Sequence, residues 1–128
     1  MKIYSDNFQK LILLVPSISA ASGQFRLTAL GSDDVVVQIV HCHKNKIEVK
    51  LEHRLAMPDG SAMPDPVVTV AIYPLAETAG VLTYEDCFGH RRVYCDKLMA
   101  FSPLAQRDLN NLLGQWLTKL LAEKRQIA

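Results

Sequence analysis

Between Lys46 and Leu55 apolar and charged residues change places at almost every step, and no other stretch restricts the fold as tightly. Ile47, Val49, Leu51 and Leu55 take one parity, with His53 the single interruption. Lys46, Glu48, Lys50, Glu52 and Arg54 take the other. Side chains on a strand alternate between its faces, so this period of two marks a strand with one face on a core and one in water. A sheet wet on one side is characteristically antiparallel, because parallel crossovers bury both faces. The remaining chain must therefore supply antiparallel neighbours and an apolar cover for the Ile47–Leu51 face.

The neighbours are readable on both sides. Phe25, Leu27 and Ala29 alternate with Arg26 and Thr28, Gly31-Ser32-Asp33-Asp34 has turn chemistry, and Val35 to His43 is rich in β-branched residues. Lys44-Asn45 is expected to turn tightly into the alternating strand. Val67 to Tyr73 reads as a fourth strand ended by Pro74. Gly80 to Tyr84 and Arg91 to Cys95 read as a fifth and sixth, joined through Glu85 to His90 with Gly89 in the turn. Residues 57–66, where Met57-Pro58-Asp59-Gly60 is echoed by Met63-Pro64-Asp65-Pro66, are expected to be a loop, since proline cannot donate to a ladder.

Two helices supply the cover. Phe8, Leu11, Ile12 and Val15 have the spacing of one helical face, with Ser5 or Asp6 as the cap and Pro16 as the stop. Near the other end Ser102 is expected to cap a helix that starts at Pro103. Leu109, Leu112, Leu113, Trp116, Leu117, Leu120 and Leu121 form its apolar stripe, and Lys119, Lys124 and Arg125 suit its negative pole. The expected fold is α+β: an antiparallel meander of five or six strands in a single domain over residues 1–128, with an N-terminal helix and a long amphipathic C-terminal helix packed on one face. The predicted core holds Phe25, Leu27, Ile47, Val49, Leu51, Val68, Val70, Ile72, Leu109, Leu113, Trp116 and Leu120.

Charge and composition remove several classes of function. Fourteen Lys and Arg against thirteen Asp and Glu leave no general attraction to phosphate backbones, so no nucleic acid is expected as a partner. No apolar run approaches a membrane span of about 18 residues. Leu11-Ile12-Leu13-Leu14-Val15, between Lys10 and Pro16, imitates the apolar part of a signal peptide but is shorter than the usual ~7–15 residues, and Asp6 sits in the would-be basic region, so a mature helix is expected. The three cysteines, Cys42, Cys87 and Cys95, are odd in number and lack CxxC spacing, which points to free thiols in a reducing, cytoplasmic setting.

Three groups of side chains are candidates for chemistry. His41 and His43 share a strand face, where both imidazoles reach one metal if His53, Glu48 or His90 supplies a third ligand. At a polar hairpin end two solvated histidines are the simpler reading. His90, Arg91 and Arg92, with Lys97 nearby, make a basic cluster suited to phosphate or carboxylate, against which Glu85, Asp86 and Asp96 offer ordinary surface pairing. Cys42, Cys87 or Cys95 is a nucleophile only if paired with a histidine and lowered in pKa, for which Cys87 has His90, Arg91 and Arg92 close in sequence; a small buried hydrophobe is the simpler reading of a free cysteine. Arg107-Asp108 reads as a tether near the start of the last helix. No recognisable cofactor motif occurs, and none is expected.

Four segments in fixed order also resemble the YqiB-like family of short uncharacterised proteobacterial proteins: Asn7-Phe8-x-x-Leu11-x-x-Leu14-x-Pro16; Phe25-Arg26-Leu27-Thr28; Val68-Thr69-Val70-x-x-Tyr73-x-x-Ala76-x-x-Ala79-x-Val81; and Gln106-Arg107-Asp108 with Asn111-x-Leu113 and Trp116-Leu117. Two departures stand out. Tyr73-Pro74-Leu75-Ala76 replaces a Tyr-His-Asp-Ala stretch, and Ala100-Phe101-Ser102-Pro103 stands where a Tyr-Pro-Asn stretch occurs. The resemblance implies a compact cytoplasmic bacterial protein and carries no mechanism. The function expected on these grounds is a non-enzymatic interaction or regulatory module, engaging a protein partner or a second copy through a sheet edge or residues 57–66. The alternatives are binding of a small anion, such as a nucleotide or phosphorylated metabolite, at His90, Arg91 and Arg92, and a metal or cysteine enzyme.

Overall fold

The alternation that begins at Lys46 becomes strand β3 (Lys46–Ala56), and the rest of the sheet is laid down beside it in chain order. In the computed structural model the elements are helix α1 (Lys2–Leu14), β1 (Gln24–Thr28), β2 (Asp34–His43), β3, β4 (Ala62–Tyr73), β5 (Thr78–Asp86), β6 (Gly89–Arg92), β7 (Tyr94–Cys95), β8 (Ala100–Phe101), helix α2 (Pro103–Ala122) and β9 (Gln126–Ile127). The structure describes residues 2–16, 18, 23–29, 33–43, 45–86, 89–92, 94, 95, 100, 101 and 103–127, with the backbone alone at 43, 90–92, 94, 95, 100, 101, 103–105 and 126. The seven-stranded sheet has the order β6-β5-β4-β3-β2-β1-β9, and β7 pairs with β8 separately. Every pairing is antiparallel.

The α+β class, with an antiparallel sheet between an N-terminal and a C-terminal helix, follows the sequence reading. The core gathers on the parity marked by β3. Ile47, Val49 and Leu51 are buried with Val35, Val37, Val68, Val70 and Ile72 from the adjoining strands. Phe8, Leu11 and Leu14 of α1 join the same cluster, as do Leu109, Leu113, Leu117 and Leu120 of α2. Phe25 and Trp116, both expected in the core, are only partly buried at its margin. The opposite face carries short ion pairs two residues apart along the strand: Lys50 with Glu52 at 2.9 Å, Arg54 with Glu52 at 3.2 Å, and Lys46 with Glu48 at 3.2 Å. Such partly solvated pairs add little stability but keep this face wet.

Several boundaries differ from expectation, each for a local reason. Ser5 and Asp6 lie inside α1, which already begins at Lys2, so neither is its cap. Residues 57–66 are a turn followed by strand: Met57 donates to the Ser61 carbonyl at 2.9 Å, Asp59 Oδ1 accepts from the Ser61 amide at 2.9 Å, and β4 starts at Ala62. Pro64 and Pro66 are tolerated there because β4 pairs with β3 from Ala62 onward, whereas its pairing with β5 begins only at Val67. This part of β4 is an edge, where a missing N–H costs nothing. The sixth strand occupies Gly89–Arg92 rather than Arg91 to Cys95; Tyr94 and Cys95 turn away to pair with Ala100 and Phe101. The C-terminal return as β9, against Leu27 and Thr28 of β1, was not signalled by any pattern. The expected turn at Gly31-Ser32, Cys87, Asp96, Lys97 and the Ser102 cap lie outside the described residues.

Candidate functional site

Helix α2 meets the rest of the protein in two ways. Near its first half, β6 pairs with β5 only from Thr83 to Asp86, so among the described residues Thr78–Leu82 has no strand beyond it. The Val81 amide, next to a register shift in the ladder, donates instead to Asn110 Oδ1 at 2.9 Å. Asn110 Nδ2 donates to the Gln106 carbonyl at 2.6 Å, and Asn7 Nδ2 of α1 donates to the Asn110 carbonyl at 3.1 Å. Asn7 and Asn110 are both fully buried, so these bonds join α1, α2 and β5 at one point. Gly80 and Gly114 allow the close approach: a methyl group on Gly114 would stand 3.0 Å from Asn7 Oδ1, and one on Gly80 would stand 3.4 Å from the Tyr4 ring.

Along its second half α2 sends Leu113, Leu117 and Leu120 into the core, and beside them lies a half-open cavity of about 330 Å3. That is the lower end of the range typical of small-molecule sites. Pro66 and Val68 of β4 and Leu112, Leu113 and Trp116 of α2 form its apolar walls. Polar groups come from three elements: His53 on β3, Tyr84 on β5, and Gln115 with Lys119 on α2. Gln115 and Lys119 are one helical turn apart and share a face.

Behind the His53 end lies a polar clasp. Arg125, its side chain only 2% exposed, pairs with Glu123 at 3.0 Å and donates to the carbonyls of Leu27 at 3.2 Å and Asp33 at 2.6 Å. Asp33 stands 3.8 Å from His53 Nε2 and accepts from the Ala56 amide at 3.4 Å. Burial holds His53 below the ordinary imidazole pKa; Asp33 opposes the shift, while Arg125 and Lys119 reinforce it.

The candidates read from sequence fall elsewhere. His41 is exposed on β2 and pairs in register with Glu48; His43 pairs with Lys46, and its side chain lies outside the described residues. His53 pairs with Val35, five residues along β3 from Glu48, or about 17 Å. His90 is on the outermost strand β6, four strands from β2, or roughly 19 Å. Of the three suggested third ligands only Glu48 adjoins His41. Among the described residues no group of three His, Cys, Asp or Glu is placed to hold a metal. His90, Arg91 and Arg92 pair in register with Glu85, Tyr84 and Thr83, so Arg91 is the one opposite a residue that lines the cavity. Their side chains, like those of Cys87 and Cys95, lie outside the described residues, while Cys42 is a free, exposed thiol. Arg107 and Asp108 lie 3.6 Å from each other on the exposed surface of α2, a contact between neighbours that tethers no other element. The cavity itself was missed. Its signal was His53, the lone polar residue in the apolar parity of β3, together with Trp116 on the stripe of α2.

Among the described residues no helix is long and apolar enough to cross a membrane. No curated protein and no solved structure gives a significant match. A family model described as "Protein of unknown function (DUF1249)" matches residues 10–126. That match runs from within α1 to the first residue of β9 and spans β1 to β8 and all of α2, and on it the chain belongs to the DUF1249 family.

Proposed function

We propose that this protein is a non-enzymatic binding module that holds a small anion with an apolar body in the cavity between α2 and strands β3 to β5. One observation carries the reading: an apolar cavity of about 330 Å3 has Lys119 and His53 on its rim. Apolar walls with a few convergent polar groups are the usual form of a small-molecule site. Arg91, from the basic cluster read in the sequence, is opposite Tyr84 in register and so on the row that reaches the cavity. Engagement of a protein partner or a second copy through residues 57–66 has weaker support, because Pro64 and Pro66 remove donors from the one stretch of β4 with a free edge. The YqiB-like resemblance, and with it a proteobacterial source and a cytoplasmic setting, belongs to the same proposal. The free, exposed Cys42 thiol suits such a reducing compartment.

Trp116 is the only tryptophan in the chain and lines the cavity, so its fluorescence reports occupancy without a label. Gently purified protein measured by native mass spectrometry is expected to carry an extra mass of metabolite size. Removing that mass is expected to shift the Trp116 emission. A bare mass, with emission indifferent to a panel of amphipathic acids and their neutral analogues, would count against the proposal.

A further inference from the structure

We infer that the ligand is a monocarboxylate with an apolar chain or ring, and that Lys119 is the residue that selects for its charge; this rests on the cavity being the ligand site. The inference follows from counting which charges near the cavity are already committed. Arg125 is engaged by Glu123 and by the carbonyls of Leu27 and Asp33. Asp33 faces His53 and holds the Ala56 amide. Within the clasp Arg125 answers Glu123, while Asp33 faces a His53 whose burial disfavours its charged form, so the clasp carries one carboxylate in excess and offers no spare cation. Lys119, on the cavity wall, has no carboxylate within ion-pair distance among the described residues. Its charge is left for a guest.

A carboxylate has two oxygens and accepts hydrogen bonds only. The polar side chains around the cavity are the Lys119 ammonium, the Gln115 carboxamide one turn before it, the His53 imidazole and the Tyr84 hydroxyl. One full positive charge among neutral polar groups matches a group with a single negative charge better than a phosphate monoester, which carries close to two at neutral pH. The walls then dictate the other end of the guest. Trp116, Leu112, Leu113, Val68 and Pro66 offer no polar side-chain group except the indole N–H, so the body beyond the carboxylate is hydrocarbon or aromatic.

Three probes of one chain length test this: octanoate, octanamide and octyl phosphate, each titrated against the full chain with Trp116 emission and backbone amide chemical shifts as readouts. Octanoate is expected to bind more tightly than octanamide. Lys119→Ala is expected to weaken octanoate about tenfold, as loss of a charge-assisted contact does, and to leave octanamide unchanged. Lys119 is exposed, so the variant is expected to keep the wild-type Tm. Equal binding of octanoate and octanamide, or equal loss of both in Lys119→Ala, overturns the carboxylate inference while the cavity stands as a small-molecule site. Tighter binding of octyl phosphate that is lost in Arg91→Ala overturns it too, in favour of a phosphorylated guest. No perturbation of Trp116 or of the cavity amides by any of the three, octanamide included, removes the proposed function itself.

Discussion

The two halves of α2 solve the same problem in opposite ways. Around Asn110 the helix closes on the sheet edge: a buried amide ties together β5, α1 and the helix backbone, and Gly80 and Gly114 remove the side chains that would hold them apart. Around Trp116 the helix still sends Leu113 and Leu117 into the core, but beside them lies a half-open cavity whose polar lining reaches water. The first contact is specific and costly to disturb, because a buried amide without its partner loses its hydration for nothing. The second tolerates change, because water already reaches its polar groups. A helix can thus be fixed at one end so that a cavity persists at the other.

The sharpest way to break this comparison is at the closed end. Asn110→Ala strands the Val81 amide and is expected to cost about 2 kcal/mol, within the usual range for a buried donor left unpaired. Urea unfolding measures it, and a loss below about 0.5 kcal/mol, the scale of an ordinary surface change, would make the junction ordinary. Gly114→Ala sets two effects against each other. Alanine favours the helix by about 1 kcal/mol, but its methyl would meet Asn7 Oδ1 at 3.0 Å and Ile3 Cδ1 at 3.4 Å. Overpacking of this kind costs about 1–3 kcal/mol, so a net loss is expected, and a stabilised variant would show that the two helices have room to spare.

Smaller effects are expected at the open end. Burial lowers the His53 pKa from its ordinary 6.5, so between the folded-state value and 6.5 the unfolded chain binds the extra proton more readily. Stability is therefore expected to fall as pH drops through 6.5 and to stop falling on this account once the folded-state value is passed. His53→Gln is expected to flatten that part of the profile; an unchanged profile would mean that His53 is as well solvated folded as unfolded. Lys119→Ala, at an exposed position, is expected to change unfolding free energy by less than about 0.5 kcal/mol. A larger loss would show that Lys119 is tied into the fold rather than left for a guest.

How much of this was legible follows the range of the interactions. The alternation of β3 and the leucine stripe of α2 are local patterns imposed by burial; the alternation appears as read, while of the stripe Leu109, Leu113, Leu117 and Leu120 are buried, Trp116 and Leu121 partly so, and Leu112 is exposed. His53 was visible as a break in one pattern and Trp116 as a member of the other, but that the two line one cavity is a property of tertiary packing. Asn110 reads as one more polar residue on the far side of a helix; its partner Val81 is a backbone amide 29 positions away, which no side-chain pattern encodes. Arg125 was read as a cation at the pole of a helix, whereas it is buried against carbonyls more than 90 residues distant. Pro64 and Pro66 were correctly read as unfit for a central strand, yet β4 lengthens past β5 and makes room for them at an edge.

The order of the strands in space, with β1 to β6 laid down consecutively, has a consequence for how the chain is made. The meander can pair as it leaves the ribosome, one hairpin after another. The leucines that cover it arrive last, on a helix that ends about 30 residues after β6 and so emerges a few seconds later at ordinary rates of synthesis. Through that interval the sheet shows bare valine and isoleucine to solvent, and an interrupted chain would be left with a sticky half. The nascent chain, more than the finished protein, is where a chaperone would find its client.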